Sequence, residues 1–127
     1  MSTGSIRIVR ATADLDAALC AFTVSVDTGR GLRLALDRSP SFFGAIEVEG
    51  ERPTVLAVLA GDRLIGTGLA TEKPVHVDGA EEGTWIGQLG TARLAREHRG
   101  GTLLGRGYRR LGEWLAEGRA RIFLTTI

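Results

Sequence analysis

The sequence predicts an α/β (α+β) fold in which helices flank a mixed, mostly antiparallel β-sheet. Two apolar runs, residues 54–60 and 63–71, are joined by Gly61 and Asp62, which is the pattern of an antiparallel hairpin. Apolar residues at helical spacing lie on both sides of this pair, and stretches typical of strands stand at residues 6–10 and 122–127. Strands and helices in this order favour a sheet covered by helices.

Size and composition predict one globular domain over residues 1–127. Hydrophobic residues make up 43% of the chain and charged residues 24%, proportions that exclude a disordered chain. The formal net charge is +1, so no overall electrostatic field indicates a nucleic acid or a membrane as partner. Any site for an anion must therefore be local.

The chain has few of the cysteine and histidine residues that disulfides and zinc sites require. Cys20 is its one cysteine and His76 and His98 are its two histidines, so neither an internal disulfide nor a zinc site can be written. Cys20 is expected to be a small buried apolar residue. The N-terminus has no apolar segment behind basic residues, and no apolar run approaches the ~18 residues of a membrane span. We therefore expect no signal peptide and a cytoplasmic location.

The first third of the chain predicts a strand followed by two helices. Thr12 has the chemistry to cap a helix that begins near Asp14. Five residues share the apolar face of that helix, namely Leu15, Ala18, Leu19, Phe22 and Val26. A second short helix is predicted over residues 32–36, and Pro40 prevents its continuation. An irregular stretch is expected from Phe42 onward.

The rest of the chain predicts a second hairpin, a long strand, a turn, a helix and a strand. The second hairpin runs from residues 75–77 to Thr84, and the long strand covers residues 84–94. Within that strand, Gly87 and Gly90 indicate bulges or places where another group comes close. A helix opens at Thr102 after a glycine-rich turn. Its predicted apolar stripe is Leu104, Tyr108, Leu111 and Leu115.

The order of elements, together with Arg99-Gly100-Gly101-Thr102-Leu103-Leu104, resembles the GNAT superfamily of acyl-CoA-dependent N-acetyltransferases. In that family the fourth strand leads into a loop of pattern Arg/Gln-x-x-Gly-x-Gly/Ala and then into a helix. The first N–H groups of a helix have no partner within it and carry partial positive charge, so a glycine-rich entry suits a diphosphate. The resemblance thus implies acetyl-CoA as cosubstrate. The residues expected to bind it are Ala92, Leu94, Arg96, Arg99, Gly100, Gly101, Thr102, Leu103 and Leu104.

The sequence departs from the family pattern in two ways. Thr102 stands where the pattern has Gly, and Leu104 stands where it has Gly or Ala. Leu104 would crowd a diphosphate if it faced the ligand. The family also continues past the strand equivalent to residues 122–127 with another helix and two strands, so this chain is expected to lack those elements. A fragment, a truncated relative, and a fold completed by another subunit are all consistent with this difference.

No catalytic residue can be assigned from the sequence. The family often deprotonates the acceptor amine with a carboxylate or through water near the fourth strand. Glu81 and Glu82 precede that strand, whereas Gln88 lies on it and cannot act as a base. His98 is expected to be a spacer between the strand and Arg99. The catalytic residues are therefore unknown.

The resemblance implies an N-acetyltransferase that moves an acetyl group from acetyl-CoA to an amine by direct attack. The alternative is a non-catalytic module that binds acyl-CoA or a partner protein. An arginine-glycine RNA-binding segment is disfavoured, because such segments lack a periodic apolar stripe. The expected partners are a small-molecule or protein amine, and a second copy or another subunit that completes the fold. Neither a membrane nor a nucleic acid is an expected partner.

Overall fold

A computed structural model describes residues 5–25, 37–79 and 83–125. Its described strands form one sheet in the order β1-β2-β3-β4-β5. The pairs β1–β2, β2–β3 and β3–β4 are antiparallel, and β4–β5 is parallel. The strands are β1 Ile6–Arg10, β2 Glu51–Ala60, β3 Arg63–Val75, β4 Thr84–Leu94 and β5 Ile122–Thr125, and the α-helices are α1 Asp16–Ser25, α2 Phe42–Ile46 and α3 Leu103–Leu115. This architecture confirms the predicted mixed sheet flanked by helices.

The first predicted hairpin is confirmed, and the second takes a different form. Ala60 pairs with Arg63 across the turn, where Gly61 has a φ of 61°. Such a positive φ is readily available to glycine alone, which explains the residue. The stretch expected to form a separate strand is instead the end of β3, where Val75 pairs with Thr84. The second hairpin is therefore β3 with β4, because continuous pairing with β4 extends β3 to 13 residues.

The expected irregular stretch after Phe42 is wrong, because residues 42–46 form α2. Ser41 caps this helix by accepting a hydrogen bond from the Gly44 N–H at 3.0 Å. The carboxylate of Asp16, on α1, accepts hydrogen bonds from the Phe42 and Phe43 N–H groups at 2.8 and 3.1 Å. Ser41 is a local signal for this helix, whereas the contribution of Asp16 comes from 26 residues away and leaves none. The predicted helix over residues 32–36 and the position of Val26 lie outside the described residues.

Asp16 is expected to make folding stability depend on acid pH. Hydrogen bonds from the Phe42 and Phe43 amides lower its pKa below the usual value. A carboxylate whose pKa is lowered in the folded state stabilises the fold above its unfolded pKa of about 4, and this contribution is lost as pH falls through the folded pKa. Asp16→Asn should therefore lower the melting temperature at pH 7 and leave it nearly unchanged at pH 2. Equal losses at both pH values in thermal denaturation would contradict this assignment.

The two faces of the sheet carry separate apolar clusters. On one face, Leu19 and Cys20 of α1 and Phe42 and Ile46 of α2 pack on strand residues such as Leu69. Cys20 is buried, as predicted, and burial raises the pKa of its thiol. The other face carries α3.

Half of the predicted apolar stripe of α3 is wrong. Leu111 and Leu115 are buried, but Leu104 and Tyr108 are exposed by 57% and 41%. The buried positions of the first two turns are Leu103 and Gly107.

None of the helices in the described ranges combines the length and apolar character that crossing a membrane requires.

The two glycines singled out on β4 confirm the two expectations, since Gly90 lies at a bulge and Gly87 at a close approach of another side chain. The pairing of β3 with β4 shifts between Gly90 and Arg93, where β4 contains one residue more than β3. At Gly87, an added Cβ would lie 2.1 Å from the ring of Phe123 on β5. β5 pairs with β4 only as far as Leu89, so in the described ranges β4 from Gly90 to Leu94 has a strand neighbour on the β3 side alone.

Candidate functional site

A cavity of about 680 Å³ lies where the end of β4, the glycine-rich turn and the first half of α3 meet. We refer to it as the corner cavity. Its walls are mainly apolar. The lining residues are Leu56, Val58, Thr67, Gly68, Ala92, Arg93, Leu94, Arg99, Gly100, Gly101, Leu103, Leu104, Gly107, Tyr108 and Leu111.

A short 3-10 helix, Arg96–His98, carries the chain from β4 to the cavity. Its hydrogen bonds run from the His98 N–H to the Ala95 carbonyl at 2.9 Å and from the Arg99 N–H to the Arg96 carbonyl at 3.2 Å. Gly100 then adopts a φ of 84°, which disfavours any residue with a Cβ. This turn directs the chain into α3 at the cavity wall.

The N-terminus of α3 presents backbone N–H groups that have no partner in the helix. The first bond of the helix runs from the Arg106 N–H to the Thr102 carbonyl at 3.0 Å. The N–H groups of Leu103, Leu104 and Gly105 therefore precede the hydrogen-bond ladder. Thr102 makes no side-chain cap. Because these donors coincide with the positive end of the helix dipole, the wall of the cavity favours an anion.

Seven of the nine residues predicted to bind acetyl-CoA line the corner cavity. They are Ala92, Leu94, Arg99, Gly100, Gly101, Leu103 and Leu104. Thr102 lies between them in sequence and is exposed. Arg96 lies elsewhere, in a groove between α1 and the turn that also contains Glu97 and Arg63. Arg96 is therefore placed apart from the other predicted residues, because the 3-10 helix turns its side chain away from the cavity.

Two arginine side chains donate hydrogen bonds to main-chain carbonyl groups at the end of β4. The Arg99 Nε donates to the Leu94 carbonyl at 2.8 Å, and Nη1 of Arg93 donates to the carbonyl of its neighbour Ala92 at 3.0 Å. Arg99 thus ties the glycine-rich turn to the strand that precedes it.

Sequence reasoning missed the wall formed by β2, β3 and the second turn of α3. Thr67 of β3 is 5% exposed, and its Oγ1 has no hydrogen-bond partner among the described residues. Its neighbour Gly68 lies opposite the bulge of β4. Gly68, inside the apolar run of residues 63–71, was the sequence signal that could have indicated this wall. Tyr108 was detectable as well, because it stands four residues after Leu104 on the same side of a helix.

The described lining of the corner cavity contains no aspartate, glutamate or histidine. Its ionisable side chains are Arg93, Arg99 and Tyr108. Glu81 and Glu82 lie outside the described residues. The geometry thus provides an anion-binding wall and an apolar chamber, and it leaves the proton acceptor unassigned.

Comparison with solved structures identifies the fold. No protein-family model matches the sequence, and no curated protein matches it significantly. A predicted acetyltransferase with acetyl-CoA from Clostridium acetobutylicum superimposes with a TM-score of 0.77 at 11% identity, over 97% of this chain and 81% of the other. The ribosomal-protein-alanine N-acetyltransferase from Brucella melitensis gives 0.67 at 15% identity, over 96% and 79%.

A structure described as a transcriptional regulator from Bacillus halodurans also superimposes, with a TM-score of 0.67 at 14% identity over 97% of this chain and 82% of the other. Identities this low establish the fold and leave the activity open. The sequence motif, the order of elements and these superpositions agree, and the chain has the fold of the GNAT superfamily of N-acetyltransferases.

Proposed function

We propose that this protein binds acetyl-CoA in the corner cavity and transfers the acetyl group to an amine. The observation that carries the proposal is the set of N–H groups at the N-terminus of α3 that have no partner within the helix, at the wall of a cavity in a GNAT fold. A diphosphate is the part of coenzyme A that such donors recognise.

Features of the cavity other than these amides fit the same ligand. Gly100 and Gly101 have open space where a Cβ would stand, so a phosphate can approach their main chain. Thr67 belongs to the wall of the cavity, and its buried hydroxyl has no hydrogen-bond partner among the described residues. A buried hydroxyl without a partner costs about 1–3 kcal/mol, so a polar group of a bound ligand that reached it would be stabilised. Leu104 faces the cavity, so it narrows the space for the diphosphate.

When bound, acetyl-CoA supplies a thioester whose acyl carbon bonds to the amine nitrogen as the C–S bond breaks, which gives an amide and the free thiol. The residues of this chain bind and orient that group. The amides after Gly100 hold the diphosphate, and Arg99 fixes the turn against Leu94. The edge of β4 from Gly90 to Leu94, which has no second strand neighbour among the described residues, offers main-chain groups to the arm of the ligand. Orientation of this kind accounts for a large part of catalysis in bimolecular reactions.

A non-catalytic acyl-CoA-binding module, or a partner-binding one, is the second candidate. The absence of any carboxylate or imidazole from the described lining favours it, because nothing in that lining can accept a proton from the amine. The exposed Leu104 in the cavity, where the motif has Gly or Ala, points the same way.

Acetyl-CoA is expected to raise the melting temperature by several degrees. A ligand at a hundred times its Kd adds about 2.7 kcal/mol to the free energy of unfolding. Differential scanning fluorimetry with acetyl-CoA up to millimolar concentration measures the shift, and S-acetylpantetheine, which carries the same thioester without the diphosphate, serves as the control. No shift at millimolar acetyl-CoA would rule out both the enzyme and the acyl-CoA-binding module, and would leave the partner-binding module. If acetyl-CoA binds, release of free thiol in the presence of a panel of amines would support the enzyme. Binding without release of thiol would support the non-catalytic module.

A further inference from the structure

A second cavity of about 520 Å³ continues the corner cavity along α3. We refer to it as the α3 groove. Both cavities border Tyr108 and Leu111, so they lie one after the other along α3, the corner cavity toward its N-terminus and the groove toward its C-terminus. We refer to the two together as the trough. The groove is lined by Leu89, Tyr108, Leu111, Gly112, Leu115, Ala116, Ala120, Arg121 and Phe123.

The walls of the α3 groove are apolar apart from Arg121 and the hydroxyl of Tyr108. Nη1 of Arg121 donates to the carbonyls of Gly118 and Ala120 at 3.0 and 3.2 Å, so its charge is tied to the main chain. The remaining side chains are aliphatic or aromatic. The groove therefore offers contacts to an apolar group and no specific partner for a charged one.

Small residues keep the groove open on the helix side. Gly112 and Ala116 follow Tyr108 at intervals of four residues along α3, and a Cβ at Gly112 would meet nothing within 4 Å. Phe123 of β5 and Leu89 of β4 form the opposite wall. The result is a channel with an aromatic ring at its junction with the corner cavity and small side chains beyond it.

We propose that the α3 groove binds the acyl chain of a medium-chain acyl-CoA, so that the preferred donor carries an acyl group longer than acetyl. This inference rests on the proposed function. A ligand whose diphosphate lies at the N-terminus of α3 extends away from it along the trough, and the groove is the apolar continuation of that trough. Each methylene removed from water improves affinity up to about fourfold. Because the groove is open on one side, we expect about tenfold in total for the six additional methylenes of an octanoyl group.

Isothermal titration calorimetry with coenzyme A, acetyl-CoA and octanoyl-CoA tests the proposal on the full chain. Octanoyl-CoA should bind at least about tenfold more tightly than acetyl-CoA. Gly112→Leu fills the groove and should abolish this preference while leaving acetyl-CoA affinity within about twofold. Arg109→Leu is the matched control, because it places the same side chain on an exposed position of α3 that lines neither cavity. It should retain the preference.

Equal affinities for acetyl-CoA and octanoyl-CoA would overturn the groove assignment and leave the proposed function standing. Absence of binding by all three compounds would overturn both. Sedimentation velocity of the same samples tests the competing occupant. A dimer that Gly112→Leu converts to monomer, together with no effect of chain length, would show that the groove is a surface between copies of the chain.

Discussion

Gly101→Asp is expected to weaken acetyl-CoA binding at least about tenfold without destabilising the fold. A carboxylate at this position stands beside the amides proposed to hold the diphosphate, and two like charges a few ångströms apart near a protein surface repel by about 1–4 kcal/mol. The same carboxylate precedes a helix N-terminus, where negative charge is stabilising. Nothing lies within 4 Å of a Cβ at Gly101, so the substitution also meets no steric obstacle.

Gly101→Asn is the matched control, because it has the size and hydrogen-bonding capacity of aspartate without the charge. Acetyl-CoA affinity should follow the order wild type, asparagine variant, aspartate variant. Raising the ionic strength should reduce the difference between the two variants, since salt screens exposed charges. Indistinguishable affinities for the asparagine and aspartate variants would place the diphosphate elsewhere.

Gly87→Ala is expected to cost at least about 2 kcal/mol of folding stability. The new Cβ would lie 2.1 Å from the ring of Phe123, which must then leave its place against the α3 face of the sheet. Because Phe123 holds β5 beside β4 and also forms a wall of the α3 groove, octanoyl-CoA binding should weaken as well. Chemical denaturation gives the loss of stability directly.

Gly90→Ala on the same strand is the control, since a Cβ there meets nothing within 4 Å. It should change stability by no more than about 0.5 kcal/mol. In a double-mutant cycle, Gly87→Ala should cost little in a Phe123→Ala background, because the clashing ring is already gone. A cost that stays the same in both backgrounds would show that the ring is not what Gly87 accommodates.

The elements that the sequence predicted well are those with local signals. The β2–β3 hairpin has its Gly61-Asp62 turn, and α3 has both a glycine-rich entry and a periodic apolar pattern. Seven of the nine residues predicted to bind acetyl-CoA line one cavity for the same reason, because strand, turn and helix are contiguous there. Thr102 and Arg96 show the limit of that approach. Whether their side chains line the cavity depends on the exact path of the chain through the 3-10 helix and the turn that follows it, and the sequence does not determine that path.

The elements that the sequence did not predict depend on contacts between distant residues. α2 forms where the Asp16 carboxylate receives the amides at its start. Glu72 is 1% exposed, and both of its oxygens accept from the Arg119 N–H at 3.2 Å, although a glutamate in a strand is ordinarily expected at the surface. In each case this partner is more than 25 residues away, so a local pattern such as the Ser41 cap of α2 reveals only part of what stabilises the structure.

The most direct test of the central claim is a titration of the 15N-labelled protein with coenzyme A, followed through its backbone amide resonances. The amides of residues 100–105 should show the largest shifts, because those N–H groups have no partner within α3 and are proposed to receive the diphosphate. Shifts centred on the α1 and α2 side of the sheet, or none at millimolar coenzyme A, would contradict the account.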